Sequence, residues 1–372
     1  MILIKIYMAT TFIDKNGLKL VGIQFNNTTW YAYHTMWLRH NCRCEQQCLH
    51  NTTKELIVCS SSLTNEQITV QNTHIDDTNL YITWMDNHNS VYNLGWLLEY
   101  THTATSNKDV MASNLNVAPD LSCLDWTLTE IDDDNEKIKK MMQLVDQHGY
   151  CYIKNFGLDN QKFIQLLDQN NYPLFESHFG IYENLQPAKY NTFNKHTDQL
   201  GYTYDRVDLH TDQPFIENCP PYQSLHCICK ADVGGSNMIV DIRKIYKTMK
   251  ELYPHDAHLL ATQPILFDRK QKDFRKQLST PIITLDENGE FKSVRSSYFT
   301  IAPFDLPFDQ MIPYYTAYNR FHELVRREEA QIDIHLEPGE LIVYNNHIMM
   351  HARTAFSGKR LMKGTYHMKI IK

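Results

Sequence analysis

The chain has 372 residues, more than one ordinary domain holds, and a formal net charge of −7 with its lysines and arginines scattered along it. That balance excludes the basic footprint of a nucleic-acid or anionic-membrane binder and leaves a small molecule as the expected partner. No apolar run approaches a membrane span. The nine cysteines are an odd number, with Cys151, Cys227 and Cys229 in strand-like runs, which does not read as a secreted disulfide framework. The opening MILIKIYMATTF is too short and poorly flanked for a signal peptide and carries no arginine for a transit peptide. A reducing compartment is therefore expected, the cytoplasm first and the mitochondrion second.

In chain order, the first hundred residues read as short strands and turns, Leu80 to Trp84 being an example bounded by Asp and Asn. The polar stretch from Ser106 to Pro119 reads as a linker, giving domains at 1–105 and 106–372. A helix is expected over Asn135 to His148, with Ile138, Met141, Met142 and Val145 on one face and Gly149 ending it. The run Tyr150 to Ile153 follows as a strand. Asp159 caps a further helix that carries Phe163, Leu166 and Leu167 inward. Beyond Tyr202 short strands dominate, at Ser224–Lys230, Asn237–Ile242, Ile282–Leu285, Glu340–Tyr344 and Gly364–Ile371. One clear helix interrupts them around Ile312–Arg327. Many short strands with few helices predict a barrel or jelly roll.

The most informative segment is Val207 to Phe215. In an extended strand residues i and i+2 face one side, so His210 and Asp212 can offer an imidazole and a carboxylate to one metal ion. Two histidines and a carboxylate on one face of an octahedron hold Fe(II) and leave positions open for a cosubstrate and O2. His351 is the candidate third ligand, directly after the strand expected at Glu340–Tyr344, with His347 competing for that role. Arg360 can clamp a dicarboxylate bidentately, which lysine does less well. A lone His-x-Asp also arises by chance among 18 histidines.

The order of motifs is more specific than any one of them. His210-Thr211-Asp212, then Pro220-Pro221, Leu225-His226-Cys227, Gly234-Gly235, Val240-Asp241 and Glu337-Pro338-Gly339 resemble the catalytic half of the γ-butyrobetaine and trimethyllysine dioxygenase family. The stretch Tyr344 to Arg353 resembles that family's Asp-Asn-Trp-Arg-x-Leu-His-Gly-Arg segment, which favours His351 as ligand and leaves His347 at a tryptophan position. The resemblance covers nearly the whole chain. It implies a double-stranded β-helix, Fe(II) held by His210, Asp212 and His351, and 2-oxoglutarate held through Arg360 with help from Asn237. O2 is the cosubstrate and ascorbate the reductant. The expected reaction is hydroxylation of an unactivated C–H bond in a small amine or amino acid, as in carnitine biosynthesis. A related oxygenase acting on another amine or amino acid is the alternative, and a non-catalytic barrel kept as a binding module is the competing class. That last reading would not require the metal triad and the clamp together.

The amino-terminal run Trp37 to Cys48 resembles the Trp-Leu-Arg-Asp-Asn-Cys-x-Cys-x-x-Cys segment that opens this family. It implies a structural Zn(II) site of Cys42, Cys44, Cys48 and the distant His88, closed and tetrahedral. Three residues rather than two separate Cys44 from Cys48, and His50 is a nearby competitor. Tyr202 and Tyr366 match positions of the family's aromatic cage for a trimethylammonium group, and Tyr190 lies one residue from another. The stretch Val294 to Thr300 replaces a family segment with paired asparagines. The family's homodimer is carried over as an expectation, although the sequence stops at Lys372, where relatives continue with a further helical segment.

Overall fold

The computed structural model describes residues 6–13, 19–25, 29–101, 122–127, 131–190, 199–271 and 274–370. The expected linker, Ser106 to Pro119, lies outside the described residues.

The helix Asp134–His148 shows how the sequence sets an element. The Asp133 carboxylate accepts a hydrogen bond from the Glu136 amide at the amino end. Ile138, Met141, Met142 and Val145 form the buried stripe, and Gly149 ends the helix in the left-handed region at φ 88°. The chain then enters the strand Tyr150–Lys154. The next helix, Asn160–Gln169, is capped by Asp159, which accepts from the Lys162 amide at 3.0 Å.

Two sheets of the larger part face each other. One has six strands in the order Cys123–Asp125, Tyr150–Lys154, Leu341–Asn345, Tyr222–Cys229, Leu361–His367 and Glu183–Leu185. The other has four, in the order Val207–His210, Met349–Arg353, Asn237–Asp241 and Ile332–Ile334. Leu225, Cys227, Ile342 and Tyr344 of the first meet Ile239, Ile332 and Ile334 of the second in one apolar cluster. Neighbouring strands come from remote parts of the sequence and pair antiparallel except at Cys123–Asp125. This is the expected jelly roll, the double-stranded β-helix with flanking helices.

Three details differ from the sequence expectation. The long helix runs Phe308–Val325, starting earlier and carrying Pro313 inside its first turns. The last strand is Leu361–His367, because Met362, Gly364 and Tyr366 already alternate inward while Ile370 is exposed. Two helices, Ile242–Leu252 and Pro254–Thr262, stand where only strands were expected. Their signals are local: Asp241 caps the first, Ile245, Tyr246 and Met249 form its buried stripe, and Pro254 occupies the first turn of the second.

The amino-terminal part forms two three-stranded sheets, Ile6–Ile13/Lys19–Phe25/Thr29–His34 and Val70–Ile75/Asn79–Trp84/Asn89–Asn93, with short helices Thr35–His40 and Leu94–Leu98. It packs on the helix Phe308–Val325 and the turn before it. Trp37 Nε1 donates to the Phe304 carbonyl at 3.0 Å, and the His40 Nδ1 to Tyr315 hydroxyl distance is 2.9 Å. One apolar core runs through both parts without a break.

Gly149 is where backbone freedom matters most. A Cβ there would lie 2.4 Å from Met349 Sδ, on top of the left-handed φ. Gly149→Ala should cost about 2 kcal/mol in urea unfolding, more than the φ penalty alone.

Candidate active site

His210 and His351 are direct cross-strand partners in the four-stranded sheet, their ring centroids 4.2 Å apart. The strand ends at His210, so Asp212 reaches the same point from a loop rather than by strand alternation. Its two carboxylate oxygens lie 3.3 Å from His210 Nε2 and 3.7 Å from His351 Nε2. All three offer a ligand atom within 4.8 Å of one another. The His210 Nδ1 lies 2.8 Å from the Asp208 carbonyl, so Nδ1 carries the proton and the Nε2 lone pair faces the cluster. Burial opposes charge on Asp212, but His351, His210 and the Tyr366 hydroxyl outweigh it and hold the carboxyl well below its usual range. Burial and the neighbouring His210 pull His351 down to about 3, which keeps its imidazole neutral, the form that binds a metal. The donor set suits Fe(II).

Asp212 is held by its backbone as well. The Asn346 amide accepts from Asp212 N at 2.9 Å and donates to the Asp212 carbonyl at 3.0 Å. Before it, Thr211 exchanges hydrogen bonds with the Ser296 main chain, at 2.6 and 2.9 Å. After it, Arg295 donates to the carbonyls of Pro214, Ile216 and Glu217. Between these anchors Gln213 sits at φ 55°, a left-handed conformation in a residue with a Cβ and ahead of Pro214, a strain of roughly 1–3 kcal/mol. His347, the rival for the third position, places its Nε2 2.9 Å from the Cys219 carbonyl and is outside the cluster.

Two buried arginines line the cavity, their guanidinium carbons 4.8 Å (Arg353) and 5.5 Å (Arg360) from the Phe356 ring centroid. Arg353 donates to three main-chain carbonyls, those of Gly201, Thr203 and Asp205. Arg360 makes one long bond to the Gly235 carbonyl at 3.4 Å and has no acidic partner among the described residues. Burial pulls its guanidinium down to about 10. Gly235 is required here, since a Cβ would come within 3.1 Å of Arg360 Nε. Asn237 pairs with Arg353 across the strands and lines the cavity with Arg360.

The rest of the cavity wall was not read from the sequence. Phe179, Phe215 and Phe299 line it, as do Glu183, Arg269 and Gln213. So does Glu55, from the hairpin that follows Cys48; it pairs with Arg269 and accepts from the Leu200 amide at 2.6 Å. Gln213 and Asn346 stand inside segments singled out above, but Glu55 and Glu183 carry no local signal. Of the expected cage tyrosines, Tyr366 lines the cavity and donates to Asp212 at 2.8 Å. Tyr202 is buried beside it, bonded to Glu183. Tyr190 is 42% exposed, outside the cavity lining, with the Lys189 ammonium 4.9 Å from its ring centroid.

The second cluster is Cys42, Cys44, Cys48 and His88, with the sulfurs 3.3, 3.7 and 3.8 Å from His88 Nε2. Gln47 Oε1 accepts from His88 Nδ1 at 2.8 Å, freeing Nε2 for a metal. The hydrogen bond with Cys48 pulls Cys42 down to about 4, against burial, and pushes Cys48 up. Arg39 donates to the Cys48 sulfur at 3.1 Å. Three thiols and an imidazole in this arrangement are the donor set of a closed zinc site. His50 is turned away, its Nε2 3.0 Å from Asp205 Oδ2.

Residues 117–366 match the family described as Taurine catabolism dioxygenase TauD, TfdA family, and residues 14–98 match Gamma-butyrobetaine hydroxylase-like, N-terminal. The site and the fold define an iron(II)- and 2-oxoglutarate-dependent dioxygenase, and the chain belongs to the TauD, TfdA family. Among curated relatives, a γ-butyrobetaine dioxygenase of Pseudomonas sp. (strain AK-1) is 29% identical, covering 90% of this chain and 87% of its own length. A trimethyllysine dioxygenase of Meyerozyma guilliermondii is 24% identical, covering 93% and 90%. An asparagine oxygenase solved with Fe(II), 2S,3S-3-hydroxyasparagine and succinate shares the fold at a TM-score of 0.50 and 12% identity, over 62% of this chain and 78% of its own. No helix among the described residues is long and apolar enough to cross a membrane.

Burial, reinforced by Asp212, pushes the Glu183 carboxyl from 4.5 up to about 8. The folded protein therefore holds a proton that the unfolded chain has released between those values, and stability falls as pH rises through that window. The slope is at most about 1.4 kcal/mol per pH unit. Glu183→Gln should flatten this decline in urea titrations repeated from pH 5 to 8.

Proposed function

We propose that His210, Asp212 and His351 hold iron and that Arg360, assisted by Asn237, holds the far carboxylate of 2-oxoglutarate, with hydroxylation of a small cationic amino acid or betaine as the reaction. The observation that carries this is the meeting of the two-histidine, one-carboxylate cluster and an acid-free buried arginine in one cavity. Substrate C–H, 2-oxoglutarate and O2 give substrate C–OH, succinate and CO2; the iron and its cosubstrates supply the oxidant. The chain's own residues orient and exclude. Asn346 and Ser296 fix the loop that carries Asp212, Arg353 ties the segment 201–205 to the strand of His351, and the phenyl rings keep water from the reacting bond.

A cationic substrate is supported by Glu183, a buried acid facing a cavity walled by Phe179, Phe215, Phe299 and Tyr366. A cation there gains both ring contacts, roughly 0.5–2 kcal/mol each, and a carboxylate whose ionisation it restores. The two relatives named above are a γ-butyrobetaine and a trimethyllysine dioxygenase, which makes a trimethylammonium compound the first candidate. The cavity wall from the zinc-bearing part supports reading 1–105 and 106–372 as domains that share one site. Nine free thiols suit a reducing compartment, cytosol or mitochondrial matrix, and a homodimer of the family kind stands with this proposal.

Succinate release from 2-oxoglutarate with added Fe(II) and ascorbate tests the reading, across trimethyllysine, γ-butyrobetaine and unmethylated amino acids. Stimulation by one of them, abolished in His210→Ala, is the expected result; no iron-dependent turnover under any condition would sink it. Arg360→Met should raise the KM for 2-oxoglutarate by roughly 100-fold, the loss expected when a buried carboxylate is left without its bidentate partner.

A further inference from the structure

We infer that Tyr344, Gln223 and Tyr366 form a positioning row that aims the Asp212 carboxylate at the metal from the sheet opposite the one that carries the histidines. Their role presupposes His210, Asp212 and His351 as the iron ligands, the reading proposed above, and is exerted through Asp212.

His210 and His351 stand on paired strands of the four-stranded sheet, whereas Asp212 lies in the loop that follows. Asn346 ties its main chain, but a carboxylate still turns about its side-chain bonds. That rotation is met from the other sheet. Gln223 is the direct cross-strand partner of Tyr344 on one side and of Tyr366 on the other. Direct partners share a face, so the three side chains form a row across the middle strands of the six-stranded sheet. None of them is more than 3% exposed. The row is hydrogen-bonded throughout. The Tyr344 hydroxyl donates to Gln223 Oε1 at 2.6 Å, Gln223 Nε2 donates to the Tyr366 hydroxyl at 3.4 Å, and Tyr366 donates to Asp212 Oδ2 at 2.8 Å.

The direction of every proton follows from the charge at the end of the row. An ionised carboxylate only accepts, so the proton between Tyr366 and Asp212 is the tyrosine's own. With that proton spent, the Tyr366 oxygen accepts from Gln223. This turns the amide nitrogen toward Tyr366 and the amide oxygen toward Tyr344, whose hydroxyl then donates. Each bond polarises the next, so the first hydroxyl strengthens the last contact. Tyr344 is outside the cavity lining, and its hydroxyl reaches Asp212 only through Gln223 and Tyr366. Its ring packs against His351 with centroids 4.9 Å apart, so one residue flanks one ligand and steers another.

The test is the affinity of the zinc-loaded protein for Mn(II) alone, read from the electron paramagnetic resonance of the free ion. Manganese suits imidazole and carboxylate donors and leaves thiolates to zinc. Wild type should bind an Mn(II) ion that His210→Ala loses. Tyr366→Phe should weaken that binding by about tenfold or more, the usual cost of removing the partner of a ligating group. Tyr344→Phe, which keeps the ring beside His351, should weaken it by about threefold. In the Tyr366→Phe background it should add nothing, because the row is already cut. Ser224→Ala is the structural control. The Ser224 and Thr365 hydroxyls are bonded at 2.5 Å between the same two strands, at the next register position. Its loss should lower the urea midpoint and leave Mn(II) affinity unchanged. Unchanged affinity in Tyr344→Phe, additive losses in the double variant, or an equal loss in Ser224→Ala would each overturn the inference and leave the iron reading standing. Absence of any Mn(II) site sensitive to His210→Ala would overturn the iron reading, and the row's role with it.

Discussion

The pairing of Val207–His210 with Met349–Arg353 is the constraint on which the site depends. It brings together two imidazoles from strands far apart in the sequence, and it does so inside the protein, where ionisable groups are costly unless they answer one another. The same strand Met349–Arg353 pairs on its other edge with Asn237–Asp241, so one element fixes His351, Arg353 and the neighbour Asn237 together. Side chains two apart on that strand point the same way, which sets Arg353 on the cavity side with His351 while Met350 enters the core behind. A register slip of one residue would exchange the two faces and lose the site at once.

Charge is arranged around this pairing with little redundancy. Asp212 answers two histidines and a tyrosine hydroxyl; Glu55 answers Arg269; Arg353 is spent on carbonyls. Arg360 and Glu183 remain as a buried cation and a buried acid with no ion-pair partner among the described residues. A buried cation is stabilised by a carboxylate ligand and a buried acid by a cationic one, the complementarity on which the proposed function rests.

What the sequence revealed follows a physical rule. His210, Asp212, His351 and Arg360, the residues proposed for iron and 2-oxoglutarate, stand out in the sequence because metal and dicarboxylate chemistry limits which residues could serve, and their motif neighbours come in a fixed order; the fold brings all four to one cavity. The helix Asp134–His148 was legible because cap, stripe and terminator are local. The helices Ile242–Leu252 and Pro254–Thr262 have equally local signals but lie in a region that strands dominate. Glu55 and Glu183 were illegible for a different reason. Their role exists only through tertiary placement, and a single acid in a polar stretch looks like any solvated one. Gln213 is intermediate: its position was in view, but its positive φ and its unsatisfied amide are properties of the folded loop.

The hairpin after Cys48 gives the zinc-type cluster a reach beyond its own domain. Cys48 leads into the Leu49–Leu56 bridge, and Glu55, one residue from that bridge, forms part of the cavity wall while holding the Leu200 amide and Arg269. Residues from both parts of the chain therefore line the one cavity. It follows that the amino-terminal part is no detachable handle. Swapping it among relatives would reshape the wall of the cavity without altering His210, Asp212 or His351.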